Sequence, residues 1–166
     1  ETIINNAWET GDPGLIFIDQ INEKHSLYEN IESTNPCGEQ PLLPWESCNL
    51  GSINLSKFVH NRRIDWEGLK EVTKTATQFL DNIIDANEYV VKEIEQVTNM
   101  NRKIGLGVMG WAEMLIKLRI AYDSNEALHL AERLMEFINY YSKEKSIELA
   151  KLRGPAPNFK HSKYSK

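Results

Sequence analysis

Three residues with reactive or hydrogen-bonding side chains alternate in the segment "TNPCGEQ" at 34–40: Asn35, Cys37 and Glu39. In an extended chain, residues i, i+2 and i+4 project to one side, so an amide, a thiol and a carboxylate would form one row. Such a row suits a site where the thiol reacts while its neighbours bind the substrate and take a proton from it. The alternative is a turn, because Asn, Pro and Gly are turn formers. Spacing alone leaves both interpretations open.

The chain has only two cysteines, Cys37 and Cys48. In a reducing compartment, a close pair of thiols indicates chemistry or metal binding more often than a structural disulfide. The two could form a disulfide if their α-carbons came within about 7 Å, or Cys48 could be a redox thiol beside a reactive Cys37. Cys48 by itself would be a small buried side chain. No metal site is predicted, because a zinc site normally has four ligands and the four histidines show no ligand spacing with the cysteines.

The stretch "GLGVMG" at 105–110 has the G-x-G-x-x-G spacing of a dinucleotide-binding loop. That fingerprint also requires an acidic residue at the end of a second strand about 20 residues further on. Residues 119–131 begin a helix instead. We therefore interpret the glycines as structural, allowing a strand and a helix to pack closely, and assign no cofactor-binding residues.

The part of the chain that must position the cysteines is rich in loops. The run "LIFI" at 15–18 predicts a short buried strand. Residues 19–52 show no sustained period, and Pro36, Pro41 and Pro44 exclude a helix through the cysteine region. A loop of this length inside a compact domain is typically functional or disordered, and its apolar content argues against disorder.

Residues 53–154 are predicted to form helices and a strand followed by a helix. Asp65 is placed as the N-cap of a long amphipathic helix over about 66–90. The segment "KIGLGVMG" at 103–110 predicts a strand, and "WAEMLIKL" after it predicts a helix.

A last long helix is predicted to begin with a capping box formed by Asp123 and Glu126. Gly154 and Pro155 should end it. Residues 155–166 are predicted to be an irregular tail.

Composition excludes several classes of function. The net charge is −5, with acidic and basic residues mixed along the chain, so no basic stripe suits a nucleic-acid polymer. The longest apolar runs are far shorter than the roughly 20 residues that span a bilayer, and no signal peptide is evident. We expect a cytoplasmic protein. Because the sequence opens at Glu1 within an apparent helix, we also expect an internal fragment of a longer chain.

Four segments, in this order, resemble the catalytic subunit of ribonucleotide reductase, most closely the adenosylcobalamin-dependent class II enzymes. They are "ETGDPGLIFIDQIN" (9–22), "TNPCGEQPLLPWESCNLGSINL" (34–55), "NRKIGLGVMGWAEML" (101–115) and "RGPAPNFKHSKY" (153–164). The resemblance implies an α/β fold, namely a fragment of a ten-stranded α/β barrel with a finger loop and two or more long helices. Residues 1–166 would then be a partial catalytic barrel domain, with the finger loop at about 19–52.

The same resemblance implies a role for each residue of the cysteine region. Cys37 matches the site of a transient thiyl radical that abstracts the 3'-hydrogen of a ribonucleotide. Glu39 matches the carboxylate that takes the 3'-hydroxyl proton, and Asn35 matches the amide that hydrogen-bonds the ribose hydroxyls. Cys48 matches one member of the dithiol that reduces the sugar. Its partner cysteine would lie outside this chain.

The resemblance further implies adenosylcobalamin as cofactor and an external dithiol reductant such as thioredoxin. The substrate would be a ribonucleoside diphosphate or triphosphate, and a homodimeric parent is among the assemblies the sequence leaves open, as is a class I radical source. We expect the fragment to be inactive on its own.

Two other functions remain open at this stage. One is a thiol-disulfide oxidoreductase that uses Cys37 and Cys48 as its own pair. The other is a non-enzymatic, mostly helical interaction module in which neither thiol matters.

Overall fold

The computed structural model describes residues 1–165 and combines helices with short strands. The helices are α1 Thr2–Thr10, α2 Ile18–Lys24, α3 Trp66–Ala86, α4 Lys92–Asn101, α5 Trp111–Leu118 and α6 Asn125–Arg153. The strands are β1 Ser33–Thr34, β2 Pro41–Leu42, β3 Asn49–Asn54, β4 Val59–His60, β5 Arg63–Ile64 and β6 Ile104–Met109. Short 3-10 helices cover Leu55–Phe58, Pro157–His161 and Lys163–Ser165. Among the described residues, none of the helices has the length and apolar character needed to traverse a bilayer.

Strands β3 and β6 form a parallel pair, with residues 49–54 in register with residues 104–109. Parallel neighbours need a crossover connection, and α3 and α4 lie in it. Gly105 permits the pairing, because a Cβ added there would clash with Leu50 Cδ2. The structural interpretation of "GLGVMG" is therefore supported, although at Gly105 the tight contact is with a strand rather than with a helix.

One apolar core joins this strand pair to α3, α5 and α6. Its almost fully buried members are Ile53, Leu55, Leu69, Met114, Leu134 and Ile138. Trp66 at the start of α3 stacks against Phe137 of α6 with ring centroids 4.8 Å apart. The long helices and the strand followed by a helix that were predicted between residues 53 and 154 are thus present, and they pack as one unit.

The predicted start of α3 is confirmed, since Asp65 Oδ1 accepts a hydrogen bond from the Gly68 N–H at 2.9 Å. The helix ends at Ala86, before the predicted end near residue 90. Beyond it, Tyr89 Oη donates to the Ile84 carbonyl at 3.0 Å and so satisfies one of the carbonyls that a helix end leaves open.

The predicted cap of α6 was wrong by one residue. Ser124, rather than Asp123, has the extended backbone of an N-cap, and its Oγ accepts from the Ala127 N–H at 3.2 Å. The helix runs on to Arg153 and ends at Gly154, as predicted.

The predicted strand at 15–18 is also wrong. Residues 15–17 are irregular, and Leu15 and Phe17 are 61% and 70% exposed. An apolar run indicates burial but not the partner, and within residues 1–165 no strand pairs with this segment. Helix α2 follows directly, with Asp19 in its first turn and Lys24 in its last, as the helix dipole favours. The loop predicted over 19–52 is therefore interrupted by a helix and by a hairpin.

The tail is more ordered than predicted. Its two 3-10 helices follow α6, and Ser162 bridges to Leu27. Lys163 Nζ donates to the Glu23 carbonyl at 2.7 Å, near the carboxyl end of α2. The tail thus packs against the carboxyl end of α2 and the residues that follow it. Lys166, the last residue of the predicted tail, lies outside the described residues.

Candidate functional site

Cys37 lies at the tip of a β-hairpin. Strands β1 and β2 pair antiparallel, with Ser33 opposite Leu42 and Thr34 opposite Pro41. The chain reverses at 35–38, where the Gly38 N–H donates to the Asn35 carbonyl at 3.0 Å and Gly38 has a φ of +83°. The extended row of Asn35, Cys37 and Glu39 was therefore wrong, and the alternative turn forms. Asn first, Pro second and Gly fourth are the residues that such a turn favours.

The side chain of Asn35 holds the hairpin closed. Its Oδ1 accepts from the Gln40 N–H at 3.0 Å, and the backbone N–H of Asn35 donates to the Gln40 carbonyl at 3.2 Å. Within residues 1–165 its Nδ2 group has no hydrogen-bond partner. The amide therefore offers two donors to a ligand at the tip, whereas one lone pair of its oxygen is already used by the Gln40 N–H.

Cys37 and Glu39 are exposed on this tip. Cys37 carries a free thiol. Among the described residues, neither side chain has a hydrogen-bond partner, so the protein leaves both groups accessible to a ligand.

Cys48 lies just before β3 and is half-buried, with a free thiol. Burial raises the pKa of this thiol, and the negative charge of Glu39 raises it further. Lys103 acts in the opposite direction on the same pKa, and Glu46 adds a smaller increase. The structure thus brings Glu39 within electrostatic reach of Cys48, and it keeps Cys48 protonated at neutral pH.

A buried ion pair lies between the hairpin and β6, and it was not predicted. The Glu46 carboxylate has no exposed area, and Lys103 Nζ lies 2.5 Å from its Oε2. Asn101 Nδ2 donates to Oε1 at 2.8 Å, and the Leu43 N–H donates to Oε2 at 2.9 Å. The sequence signal was a lysine directly before an apolar strand, together with a glutamate three residues after Leu43 in "LPWE".

The segment around Cys48 is fixed by polar contacts to the helices. Ser47 Oγ and Thr98 Oγ1 lie 2.9 Å apart, and Asn49 Nδ2 donates to the Leu80 carbonyl at 3.0 Å. Asn49 Oδ1 is buried without a partner among the described residues. These contacts hold Cys48 against α3 and α4.

A cavity of about 600 Å³ opens beside the hairpin tip. Its wall is mostly apolar and includes Leu15 and Phe17 from the segment before α2, and Gly38 and Gln40 from the hairpin. His25 also lines it, and the Nε2 atom of His25 is buried without a partner within residues 1–165. A volume of this size is in the range of small-molecule sites. Among the described residues 1–165, no group of three or more His, Cys, Asp or Glu side chains is placed to hold a metal ion.

Comparison with known proteins gives one consistent family. The family model described as "Ribonucleotide reductase, barrel domain" matches residues 1–166. A "Vitamin B12-dependent ribonucleoside-diphosphate reductase" of Thermoplasma acidophilum is 57% identical over 169 residues, which cover 100% of this chain and 22% of that protein. A protein of the same description from Mycobacterium tuberculosis is 48% identical over 168 residues, covering 100% of this chain and 24% of that protein.

A solved structure agrees with these matches. The Actinobacillus ureae class Id ribonucleotide reductase alpha subunit superposes with a TM-score of 0.81 at 26% identity, covering 95% of this chain and 32% of that one. The chain therefore spans about a quarter of the length of the curated relatives it matches.

Proposed function

Because the chain belongs to the ribonucleotide reductase family and forms part of its barrel domain, we propose that the protein containing it reduces ribonucleotides to 2'-deoxyribonucleotides. The observation that supports this most directly is the hairpin tip, where a free, exposed Cys37 lies between Asn35 and Glu39. Residues 19–52 would be the finger loop of the parent barrel, and 53–154 part of its wall.

In this proposal, Cys37 acts as a thiyl radical and takes the hydrogen atom from C3' of the ribose. A new S–H bond forms, the C3'–H bond breaks and the unpaired electron moves to the sugar. Glu39 accepts the proton of the 3'-hydroxyl. A narrow turn suits these roles, because it presents Cys37 and Glu39 on either side of Gly38 without a bulky neighbour between them.

The hydrogen bond from Gln40 sharpens the role of Asn35. Since Asn35 Oδ1 already accepts the Gln40 N–H, the amide would bind the ribose by donating from Nδ2 to a hydroxyl oxygen. One side chain would thus shape the turn and bind the substrate.

Cys48 would supply one of the two thiols that reduce the sugar after the 2'-hydroxyl leaves as water. Two thiols become a disulfide and deliver two electrons and two protons, and the second thiol would come from a cysteine outside this chain. The raised pKa of Cys48 suits this role, because a protonated thiol carries the hydrogen that must be delivered. An external dithiol of the thioredoxin kind would restore the pair.

We also propose adenosylcobalamin as the cofactor, since the relatives from Thermoplasma acidophilum and Mycobacterium tuberculosis are described as vitamin B12-dependent. The residues present fit part of such a group: the apolar wall formed by Leu15 and Phe17, with the amide of Gln20, suits a nucleoside-sized group beside Gly38. When bound, the cofactor would supply the homolysis that begins radical chemistry.

Replacing Cys37 in the full-length protein tests the proposal. Cys37→Ala should abolish deoxyribonucleotide formation while nucleotide binding, measured by equilibrium dialysis, stays within about threefold, because only the hydrogen-abstracting atom is lost. Ser33→Ala, an exposed change in the same hairpin, is the matched control and should keep full turnover. Substantial turnover by Cys37→Ala would rule out the radical assignment.

The self-contained thiol pair is not favoured by any specific observation. Cys37 and Cys48 are both free, and the raised pKa of Cys48 disfavours the thiolate that disulfide exchange requires.

A further inference from the structure

The buried ion pair of Glu46 and Lys103 lies where the hairpin meets the strand pair. Lys103 directly precedes β6, and its side chain is 19% exposed, whereas that of Glu46 is fully buried. A buried charge that lacks a partner is costly, so a pair of this kind persists only when both ions are well hydrogen-bonded.

Lys103 contacts the hairpin at two places. Its Nζ donates to Glu46 Oε2 at 2.5 Å and to the Pro41 carbonyl, in the returning strand β2, at 3.1 Å. An ammonium group has three donors, so one cation can serve both acceptors. Lys103 thereby ties the base of the hairpin directly to β6.

The carboxylate of Glu46 completes the link. Oε2 accepts the Leu43 N–H, which fixes the turn after β2, and Oε1 accepts from Asn101 Nδ2 at the end of α4. Asn101 in turn accepts from Asn158 Nδ2 at 2.7 Å. The hairpin and α4 therefore meet at one buried carboxylate, and the tail is linked to it through Asn101.

We infer that Glu46 and Lys103 are positioning residues that hold the Cys37 hairpin at a fixed place relative to Cys48. The inference rests on the proposed function of Cys37. Hydrogen abstraction requires the thiol within a fraction of an ångström of its working position. The hairpin itself has only two pairs of facing residues, so its direction depends on the contacts at its base.

The first test is Lys103→Met in the full-length protein with its cofactor. We expect kcat to fall about 10- to 100-fold with the substrate KM changed less than about threefold, because a misplaced thiol slows chemistry more than binding. Lys74→Met is the matched control: Lys74 pairs with Glu144 and Glu148 between α3 and α6, away from the hairpin. It should keep the parent kcat. A normal kcat in Lys103→Met would overturn the inference.

A second readout does not depend on turnover. In Lys103→Met, amide hydrogen exchange should become faster at Gln40 and Leu43, whose N–H groups donate within the hairpin and to Glu46, but not within α3. Faster exchange throughout α3 would show a general structural role and overturn the inference.

The two proposals fail in different ways. If Cys37→Ala retains turnover, the proposed function is wrong whatever the exchange data show. If Cys37→Ala is inactive while Lys103→Met has normal turnover and normal hairpin exchange, only the positioning inference is wrong.

Discussion

The two cysteines lie in regions that are stabilised by different forces. Cys48 borders β3, whose Ile53 belongs to the apolar core shared with α3, α5 and α6. Cys37 lies on the exposed tip of a hairpin whose base is held by two buried apolar side chains, Ile31 and Leu43, and by polar links. Those polar links are the Glu46 and Lys103 pair and the contact between Ser47 and Thr98. We refer to residues 49–153 as the packed unit and to residues 18–46 as the hairpin region.

The difference shows how each region is suited to its proposed role. Burial of apolar surface is strong and non-directional, so it makes the packed unit a stable support. Each hydrogen bond contributes less than the burial of a large apolar side chain, but its strength depends on its geometry. A few hydrogen bonds can therefore fix the orientation of the hairpin. A substitution in the core should therefore destabilise both regions, whereas a substitution that removes a polar link should destabilise the hairpin region alone.

The largest effect on stability is expected from Leu69→Ala in the packed unit. Leu69 has no exposed area, so its truncation should lower the free energy of unfolding by about 2 to 5 kcal/mol. Urea unfolding measures this. Leu128→Ala is the control on α6, where Leu128 is 64% exposed, and it should cost about 0.5 kcal/mol or less. Equal losses of unfolding free energy in Leu69→Ala and Leu128→Ala would contradict the placement of Leu69 in the core.

A smaller and local effect is expected from Asn22→Ala in the hairpin region. Asn22 Oδ1 accepts the Ile31 N–H at 2.6 Å, and Nδ2 donates to the Ile31 carbonyl at 3.3 Å. Losing this link should cost about 1 kcal/mol and speed hydrogen exchange at Ile31, while exchange within α3 stays unchanged. Asn6→Ala on the exposed face of α1 is the control. If hydrogen exchange within α3 becomes faster by as much as exchange at Ile31, the hairpin region and the packed unit do not open independently.

The smallest effect is a difference in pH dependence. Burial, and then the charge of Lys103, lower the pKa of His25 below its usual value of 6.5. The unfolded chain therefore binds a proton near pH 6.5 while the folded chain stays neutral, so the hairpin region should lose stability as the pH falls below 6.5.

The packed unit should resist acid over that window. A hydrogen bond from Arg102 lowers the pKa of Asp85, so the stability from this pair is present above the usual carboxyl pKa and is lost only as the pH falls through the lowered value. Hydrogen exchange at pH 7 and pH 5.5 compares the regions. In His25→Gln, the hairpin region should no longer be more sensitive to acid than the packed unit. If it still is, a titratable group other than His25 is responsible.

Sequence reasoning was most successful where a local signal coincides with the global fold. The cap at Asp65, the helix that follows it and the strand "IGLGVM" all carry a pattern that neighbouring residues can satisfy by themselves. The α/β barrel family and the B12-dependent relatives were also predicted correctly, from four motifs in order. The assigned roles of the site residues remain predictions.

Two kinds of structure could not be predicted from local patterns. The apolar run at 15–17 indicates burial without naming a partner, and here it lines a cavity instead of forming a strand. Glu46 and Lys103 are far apart in the sequence, and each is an ordinary charged residue until the fold brings them together. The turn at Cys37 was one of two permitted outcomes, and spacing alone could not decide between them.

The hydrogen bond between Asn35 and Gln40 has an implication for how this position can vary. An aspartate is nearly the same size as asparagine and can accept the same N–H, but it has no amide hydrogens to donate. Asn35→Asp would therefore preserve the shape of the hairpin while removing the Nδ2 donor that we propose binds a sugar hydroxyl. At this one position, the atom that maintains the fold and the atom available for recognition are separate, so selection for folding alone would not distinguish the two residues.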